Sequence, residues 1–229
     1  MKTSSRLPRL MITNLALMAE FLCAPTRAAH AGETPVKAAL YGLRIEPRGT
    51  DAEDFSRAGW GAGIRMVVSP SALQHGIGFG AGFEIVNLLD QTIQIYDSQT
   101  LLRVEHTTSQ EFFRVSLGGE LGPHGHGFFR PFVGANVALH IYTIGTQLTI
   151  PDDTNPEQSL HQDLGSESNA AFGYDFTVGC DLQYQRFFLE GGARFLKSFN
   201  VPQQLTRAGA VTIHPAYLQA FVGLGGTVW

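Results

Sequence analysis

The feature that most constrains the fold is an unbroken alternation of apolar and polar residues from Phe172 to Tyr184. All even positions of this segment carry an apolar or aromatic residue or Cys180, and all odd positions carry Gly, Asp, Thr or Gln. Successive side chains of a β-strand point to opposite faces of its sheet, whereas a helix repeats about every 3.6 residues. The segment therefore predicts a strand with one apolar and one polar face.

The same alternation recurs in seven further segments. They are residues 39–46, 60–68, 77–85, 113–121, 129–141, 187–195 and 218–228. Short alternating segments separated by turn residues are typical of all-β proteins. Because no segment after residue 35 has the pattern of an amphipathic helix, we predict eight antiparallel strands.

The connections between these segments alternate in length. Long connections cover residues 47–57, 90–110, 151–169 and 200–215, and shorter ones cover residues 69–76, 122–127 and 185–186. In an up-and-down meander this order gathers the long connections at one end, as in transmembrane barrels. The predicted fold is all-β: an eight-stranded antiparallel up-and-down transmembrane β-barrel.

The second long connection keeps strand character on both sides of Asp97. If its strands protrude beyond the membrane as a hairpin, the hairpin edge can pair with a strand of a partner. If the hairpin enters the membrane instead, the barrel has ten strands.

The alternation alone leaves open which face lines the interior, because a soluble lipocalin-like barrel has its apolar face inside. The predicted polar face is mainly glycine and charged residues without lysine, which is unusual for a surface in water. The interior of an eight-stranded barrel is only wide enough for side chains to fill it, and arginine pairs well with carboxylates there. We therefore place the apolar face outside and predict a structural ion-pair network in the lumen, formed by Arg44, Glu46, Arg65, Glu84, Arg114, Glu120, Arg130, Asp175, Asp181, Glu190 and Arg194.

Residues 1–31 have the pattern of a secretory signal peptide. Basic residues precede a short apolar run, and Ala29-His30-Ala31 supplies a small-x-small cleavage site. We expect residues 32–229 to form the barrel domain after export. This part has no cluster of Lys and Arg, so we expect no nucleic-acid partner.

The chain resembles the small outer-membrane barrels of the OmpA and OmpX kind. The segments Arg130–Leu139 and Phe188–Leu196 are similar to strands of those families, and Trp229 provides the aromatic C-terminal residue. The resemblance implies a multi-pass protein of the bacterial outer membrane, in contact with membrane lipid and lipopolysaccharide. It also implies recognition of the C-terminal strand by the barrel-assembly machinery, and we expect a monomer.

No nucleophile, zinc or phosphate-loop motif is present, so we expect no enzyme activity, cofactor or metal site. His124 and His126 lack a third ligand nearby in sequence, and His106 and Ser109 have opposite strand parity. We expect a structural or surface-interaction role through the long loops. A lipid A-modifying enzyme, a narrow channel and a soluble lipocalin-like binder remain alternatives.

Overall fold

The computed structural model describes residues 34–70, 73, 76–96, 103–124, 127–151, 159–205 and 209–228. The predicted signal peptide of residues 1–31 lies outside the described residues, as do His126 and Trp229. Within the described part, no helix is long and apolar enough to span a membrane.

Eight antiparallel strands close into one barrel, which confirms the predicted fold class. In chain order the barrel strands are β1 (Val36–Arg48), β2 (Gly59–Val68), β3 (Ile77–Tyr96), β4 (Arg103–Leu121), β5 (Phe129–Ile150), β6 (Leu160–Tyr184), β7 (Phe187–Ser198) and β10 (Ala216–Val228). Each strand pairs with its neighbour in sequence, and β10 pairs with β1 to close the ring. Because the ring is closed, the barrel has no strand edge with unpaired backbone groups, which would be costly in an apolar environment.

Two small elements lie in long connections that the sequence analysis predicted as loops. A short helix, α1 (Thr50–Phe55), joins β1 to β2. A two-stranded hairpin, β8 (Val201–Leu205) with β9 (Gly209–Ile213), joins β7 to β10. Both elements lie at the long-loop end of the barrel, while the chain enters and leaves at the short-turn end, where Val36 pairs with Val228.

The barrel wall is much taller on one side than on the other. Strands β3 to β6 have 20, 19, 22 and 25 residues, whereas β1, β2, β7 and β10 have 10 to 13. Consecutive pairing continues to Tyr96 opposite Arg103 and to Ile150 opposite Leu160. The four tall strands therefore continue above the barrel as a protruding four-stranded sheet, and the eight-stranded interpretation holds.

Large apolar side chains cover the outside of β2 to β7 and of β10. Phe172 and Leu224, for example, leave 74% and 69% of their surface exposed. Exposed aromatic residues lie at both ends of this apolar band: Phe79, Phe129, Tyr184 and Phe187 at the short-turn end, and Trp60, Phe172, Phe195 and Phe199 at the long-loop end. Such girdles are typical of barrels in membranes.

On β1 the prediction of which face is outside is wrong. Ala39, Tyr41, Leu43 and Ile45 are buried in the lumen, and Leu40 and Arg44 point outward. The pairing register explains the inversion, because residues directly opposite each other share a face. Arg44 lies opposite the outward-facing Trp60 on β2 and opposite Ala220 on β10.

Candidate functional site

The lumen contains an ion cluster centred on the carboxylate of Glu84, a fully buried residue of β3. Glu84 accepts hydrogen bonds from Tyr41 Oη at 2.6 Å and Arg114 Nη1 at 2.9 Å, and from Arg194 Nη1. Gln219 Nε2 donates to its second oxygen at 3.0 Å. Four strands thus contribute donors to one carboxylate, which is the condition under which a buried charge is tolerated.

Asp175 extends the Glu84 cluster across the lumen. Its carboxylate accepts from the second Nη of Arg114, from Asn136 Nδ2 at 2.6 Å and from Thr177 Oγ1 at 3.3 Å. Arg194 donates from Nε to Thr177 Oγ1 at 2.9 Å, which orients the guanidinium between the two carboxylates. Because each arginine contacts both acids, the four groups form one connected ion network rather than separate pairs.

A second ion cluster lies nearer the short-turn end and is centred on Arg65. Arg65 Nη1 is 2.8 Å from Glu120 Oε2, and its Nε is 2.8 Å from Glu190 Oε2. Arg130 Nη2 contacts Asp181 Oδ2 at 3.3 Å. These contacts connect β2, β4, β5, β6 and β7 across the lumen.

Lys37 belongs to the Arg65 cluster, although the sequence analysis expected no lysine in the lumen. Its ammonium lies 2.5 Å from Asp181 Oδ2 and 3.3 Å from Glu120 Oε1. The rings of Phe132 and Phe188 lie 5.3 and 5.4 Å from the same nitrogen, within cation–π range. The signal was present in the sequence, because Lys37 has the same strand parity as Tyr41 and marks that face of β1 as the lumen face.

Nine of the eleven residues predicted for the network lie in the lumen, but Arg44 and Glu46 do not. Their side chains remain 45% and 41% exposed on the outside of β1, 3.3 Å apart, with Arg44 over the Trp60 ring. They lie outside because the odd-numbered residues of β1 face the lumen and the even-numbered ones face outward. With Lys37 added, the lumen ions are five cations (Lys37, Arg65, Arg114, Arg130, Arg194) and five carboxylates (Glu84, Glu120, Asp175, Asp181, Glu190), so the formal charges cancel.

A small polar cavity separates the two ion clusters. Its volume is about 30 Å³, and its lining includes Arg65, Arg114, Asn136, Thr177 and Arg194. One water needs roughly 10–15 Å³ on this measure, so the space is large enough for about two waters.

Above the ion clusters, an apolar cap lies at the long-loop end of the lumen. It contains buried aliphatic side chains from the wall and from the loop elements: Leu43, Ile45, Ala52, Val86, Leu88, Leu196, Val201 and Ile213. Phe112 packs beneath them against Tyr142 and Tyr217, with ring centroids 5.1 and 5.9 Å apart. The cap explains why β1 turns its aliphatic residues inward.

Polar contacts fix α1 and the β8–β9 hairpin over the mouth. The Asp51 carboxylate accepts from the backbone N–H of His214 at 2.8 Å, and His214 Nδ1 accepts from the backbone N–H of Asn200 at 3.3 Å. Ser56 Oγ lies 3.4 Å from Tyr217 Oη. The two loop elements are therefore held to each other and to the barrel wall.

Among the described residues, the histidines considered for catalysis or metal binding do not assemble into an accessible site. His106 and Ser109 lie on opposite faces of β4, as their parity requires. His140 Nδ1 lies 2.5 Å from Ser198 Oγ, but both residues are completely buried under the apolar cap. No group of three His, Cys, Asp or Glu that could hold a metal occurs among the described residues.

His124 lies in the turn between β4 and β5. Burial lowers its pKa, so its ring is neutral at pH 7. The ring then acts as a neutral neighbour of Glu120, with Nδ1 3.6 Å from Oε1.

The protruding sheet inverts the polarity of the barrel wall. On its outer face, polar residues pair across strands: Thr92 with Thr107 at 3.0 Å, Gln94 with Glu105 at 3.2 Å, Thr143 with Ser168 at 2.9 Å and Thr149 with His161 at 3.1 Å. Below this level the same face carries Ile85, Phe113, Ile141 and Phe172. The outer surface therefore passes from apolar to polar within about two residues on each tall strand.

The inner face of the protruding sheet carries apolar residues towards its tip, together with polar ones such as His106, Thr108 and Gln162. Because cross-strand partners share a face, Ile93, Val104, Leu148 and Ile150 continue the lumen side of the wall. Ile93 and Ile95 leave 49% and 55% of their surface exposed. Beyond Asn87 and Gly173, where pairing with β2 and β7 ends, the outer edges of β3 and β6 have no further strand partner among the described residues, although Phe172 O still accepts from Phe199 N at 2.8 Å.

No protein-family model matches this chain, and no curated protein matches it in sequence. Among solved structures, a major outer membrane protein of Thermus thermophilus is similar, with a TM-score of 0.51 and 12% identity over 84% of this chain and 99% of that chain. Neisserial surface protein A has a TM-score of 0.47 and 10% identity, covering 84% and 96% of the two chains. Ail, the attachment invasion locus protein of Yersinia pestis, has a TM-score of 0.41 and 11% identity, covering 86% and 99%.

At these identities the similarity concerns the fold, and it agrees with the closed ring of eight antiparallel strands. The chain therefore has the fold of a small outer-membrane barrel, a closed ring of eight antiparallel strands.

Proposed function

We propose that this chain is an integral protein of the bacterial outer membrane with a closed lumen, which acts at the cell surface through its protruding sheet. It is not an enzyme in this proposal, and it functions as a monomer. The signal peptide of residues 1–31 exports it, and the C-terminal strand is recognised by the barrel-assembly machinery.

The observation that carries the membrane assignment is the change of polarity along the outer face of the tall strands. An apolar band ringed by aromatic residues suits hydrocarbon, whereas the cross-strand polar pairs above it suit water. The change begins in the same cross-strand row on β3, β4, β5 and β6, which contains Asn87, Glu111, Thr143 and Ser168. The long-loop end is then extracellular, and the short turns are periplasmic.

Cysteine labelling on intact cells tests this topology. In a C180A background, T107C places a thiol on the outer face of the protruding sheet, and Q185C places one in the β6–β7 turn. A membrane-impermeant maleimide should label T107C on intact cells and Q185C only after the outer membrane is permeabilised. Labelling of both variants on intact cells, or of neither, would contradict the assignment.

Two successive barriers support the proposal of a closed lumen. The five buried cations and five buried carboxylates occupy the bore, and the apolar cap covers its extracellular mouth. In planar bilayers the purified protein should give no stable single-channel conductance. Stable unitary currents would favour the narrow-channel alternative.

The protruding sheet supports the surface-interaction role. The unpaired edges of β3 and β6 offer backbone donors and acceptors to an added strand, which is how extended peptides join a sheet. Since the sheet is polar on its outer face and apolar on its inner face towards the tip, the partner segment should alternate in the same way. Replacing Ser168 on the β6 edge by proline removes one backbone donor, so the S168P variant should lose capture of a peptide with this alternation, while S109P on the paired strand β4 should disrupt the sheet itself.

A further inference from the structure

The outward-facing charges at the long-loop end of β1 and β7 flank a small residue of β10. In the pairing register, Arg48 lies opposite Ala216, and Ala216 lies opposite Lys197. Two interstrand spacings of about 4.8 Å place the backbones of Arg48 and Lys197 roughly 10 Å apart. Ala216 leaves the space between the two long side chains open.

The cations of this row are available to an anion. Lys197 makes no side-chain hydrogen bond or ion pair with any residue that the structure describes. Arg48 contacts Glu46 at 3.0 Å, and 51% of its side chain is exposed. Arg44, Glu46, Arg48 and Lys197 together carry three positive charges and one negative charge, so the group has a net charge of +2.

The surface directly below this row is apolar. On β10 the outward residues Leu218, Ala220, Val222 and Leu224 follow one another towards the short-turn end, and Phe195 borders them on β7. Beside Lys197, Tyr174 packs against Phe199 with ring centroids 5.4 Å apart. Arg48 and Lys197 therefore lie near the aromatic girdle, directly above the apolar outer surface of β10, which we call the β10 track.

We propose that Arg48 and Lys197 bind a phosphate group of lipid A in the outer leaflet, with acyl chains lying along the β10 track. The proposal rests on the outer-membrane topology proposed above. The planar guanidinium of arginine can donate two parallel hydrogen bonds to a phosphate, and the lysine ammonium adds a compact positive charge. The acyl chains would pack against the exposed leucines of β10. A phosphorylated lipid also accounts for charged side chains on a face that is otherwise apolar.

Native mass spectrometry of the purified barrel with diphosphoryl lipid A tests the site. The R48Q/K197Q variant should bind this lipid about tenfold more weakly than the wild type, since each exposed ion pair contributes up to roughly fivefold. The control variant R103Q/R186Q removes two half-exposed cations, one on the protruding sheet and one in the β6–β7 turn, and its affinity should stay within about twofold of the wild type. Phosphatidylglycerol serves as a second anionic probe.

Equal losses in both variants, or no loss in R48Q/K197Q, would overturn the site. Equal sensitivity of phosphatidylglycerol binding would overturn the assignment to lipid A. Gel mobility of the same samples with and without boiling distinguishes an error in the lipid A site from an error in the outer-membrane topology. If the wild type fractionates with the outer membrane and its gel mobility changes on boiling, a negative binding result concerns the lipid site alone. A soluble protein with no change would overturn both proposals.

Discussion

Replacing Glu84 by glutamine should destabilise the barrel far more than the same change at Glu46. The sequence pattern predicts both residues in the lumen, but only Glu84 lies there. The E84Q variant keeps the size of the side chain and removes its charge. Arg114 and Arg194 then face each other across a neutral amide in a buried site.

The size of the effect follows from the partners that remain. Breaking a buried ion pair on one side typically costs about 3–5 kcal/mol, because the remaining charge is left uncompensated. Asp175 still contacts both arginines and limits the loss, so we expect about 3 kcal/mol for E84Q. For E46Q we expect no more than about 1 kcal/mol, since Glu46 pairs with Arg44 and Arg48 on an exposed surface.

Urea unfolding in lipid vesicles provides the measurement. The folded and unfolded fractions are read from gel mobility without boiling, and both variants are compared with the wild type at equal lipid concentration. Midpoints that shift by the same amount for E84Q and E46Q would refute the reasoning. So would an E84Q stability within about 1 kcal/mol of the wild type.

Three further changes test other parts of the structure in the same unfolding assay. K37M should cost about 3 kcal/mol, because it leaves two carboxylates near the short-turn end without their ammonium partner; a change below about 1 kcal/mol would contradict this. G173A should cost about 1–3 kcal/mol, because its Cβ would lie 2.6 Å from the His140 ring and 2.3 Å from a backbone oxygen. G42A, whose Cβ meets nothing within 4 Å, is the matched control and should unfold like the wild type. Equal midpoints for G173A and G42A would contradict the expected steric cost of a Cβ at residue 173.

The alternation of side chains was sufficient to predict the barrel, because seven of the eight strands have one apolar face towards the outside. It failed on β1, where both possible outer faces carry apolar residues. There the choice depends on the cap, which needs Leu43 and Ile45 inside, and on Tyr41, which donates to Glu84. Those requirements arise from residues distant in sequence and are not encoded in the local period.

The protruding sheet was only partly predictable for a related reason. Its polarity is inverted relative to the strands below, and a bulge between Asn87 and Leu89 shifts the register of β3. A period-two pattern that changes phase at a bulge resembles a loop with some strand character. Residues 160–169 are mostly polar on both faces of the strand. Such a segment shows no apolar–polar alternation, so its sequence gives little indication of a strand.

The pairing of lumen charges has a consequence for how the chain reaches its final form in the membrane. Glu84 and Arg194 are 110 positions apart, Arg65 and Glu190 are 125 apart, and Glu84 and Gln219 are 135 apart. Contacts of such long range form late, because the entropy of closing the intervening chain must be overcome first. Until the first and last strands meet, these ions remain hydrated on the concave side of an open, curved sheet. Pairing of β1 with β10 and dehydration of these ions should therefore occur in one cooperative step. A barrel in which these two strands have not paired would keep a hydrated lumen with unpaired ions. It would differ from the closed barrel in the exposure of its charged side chains.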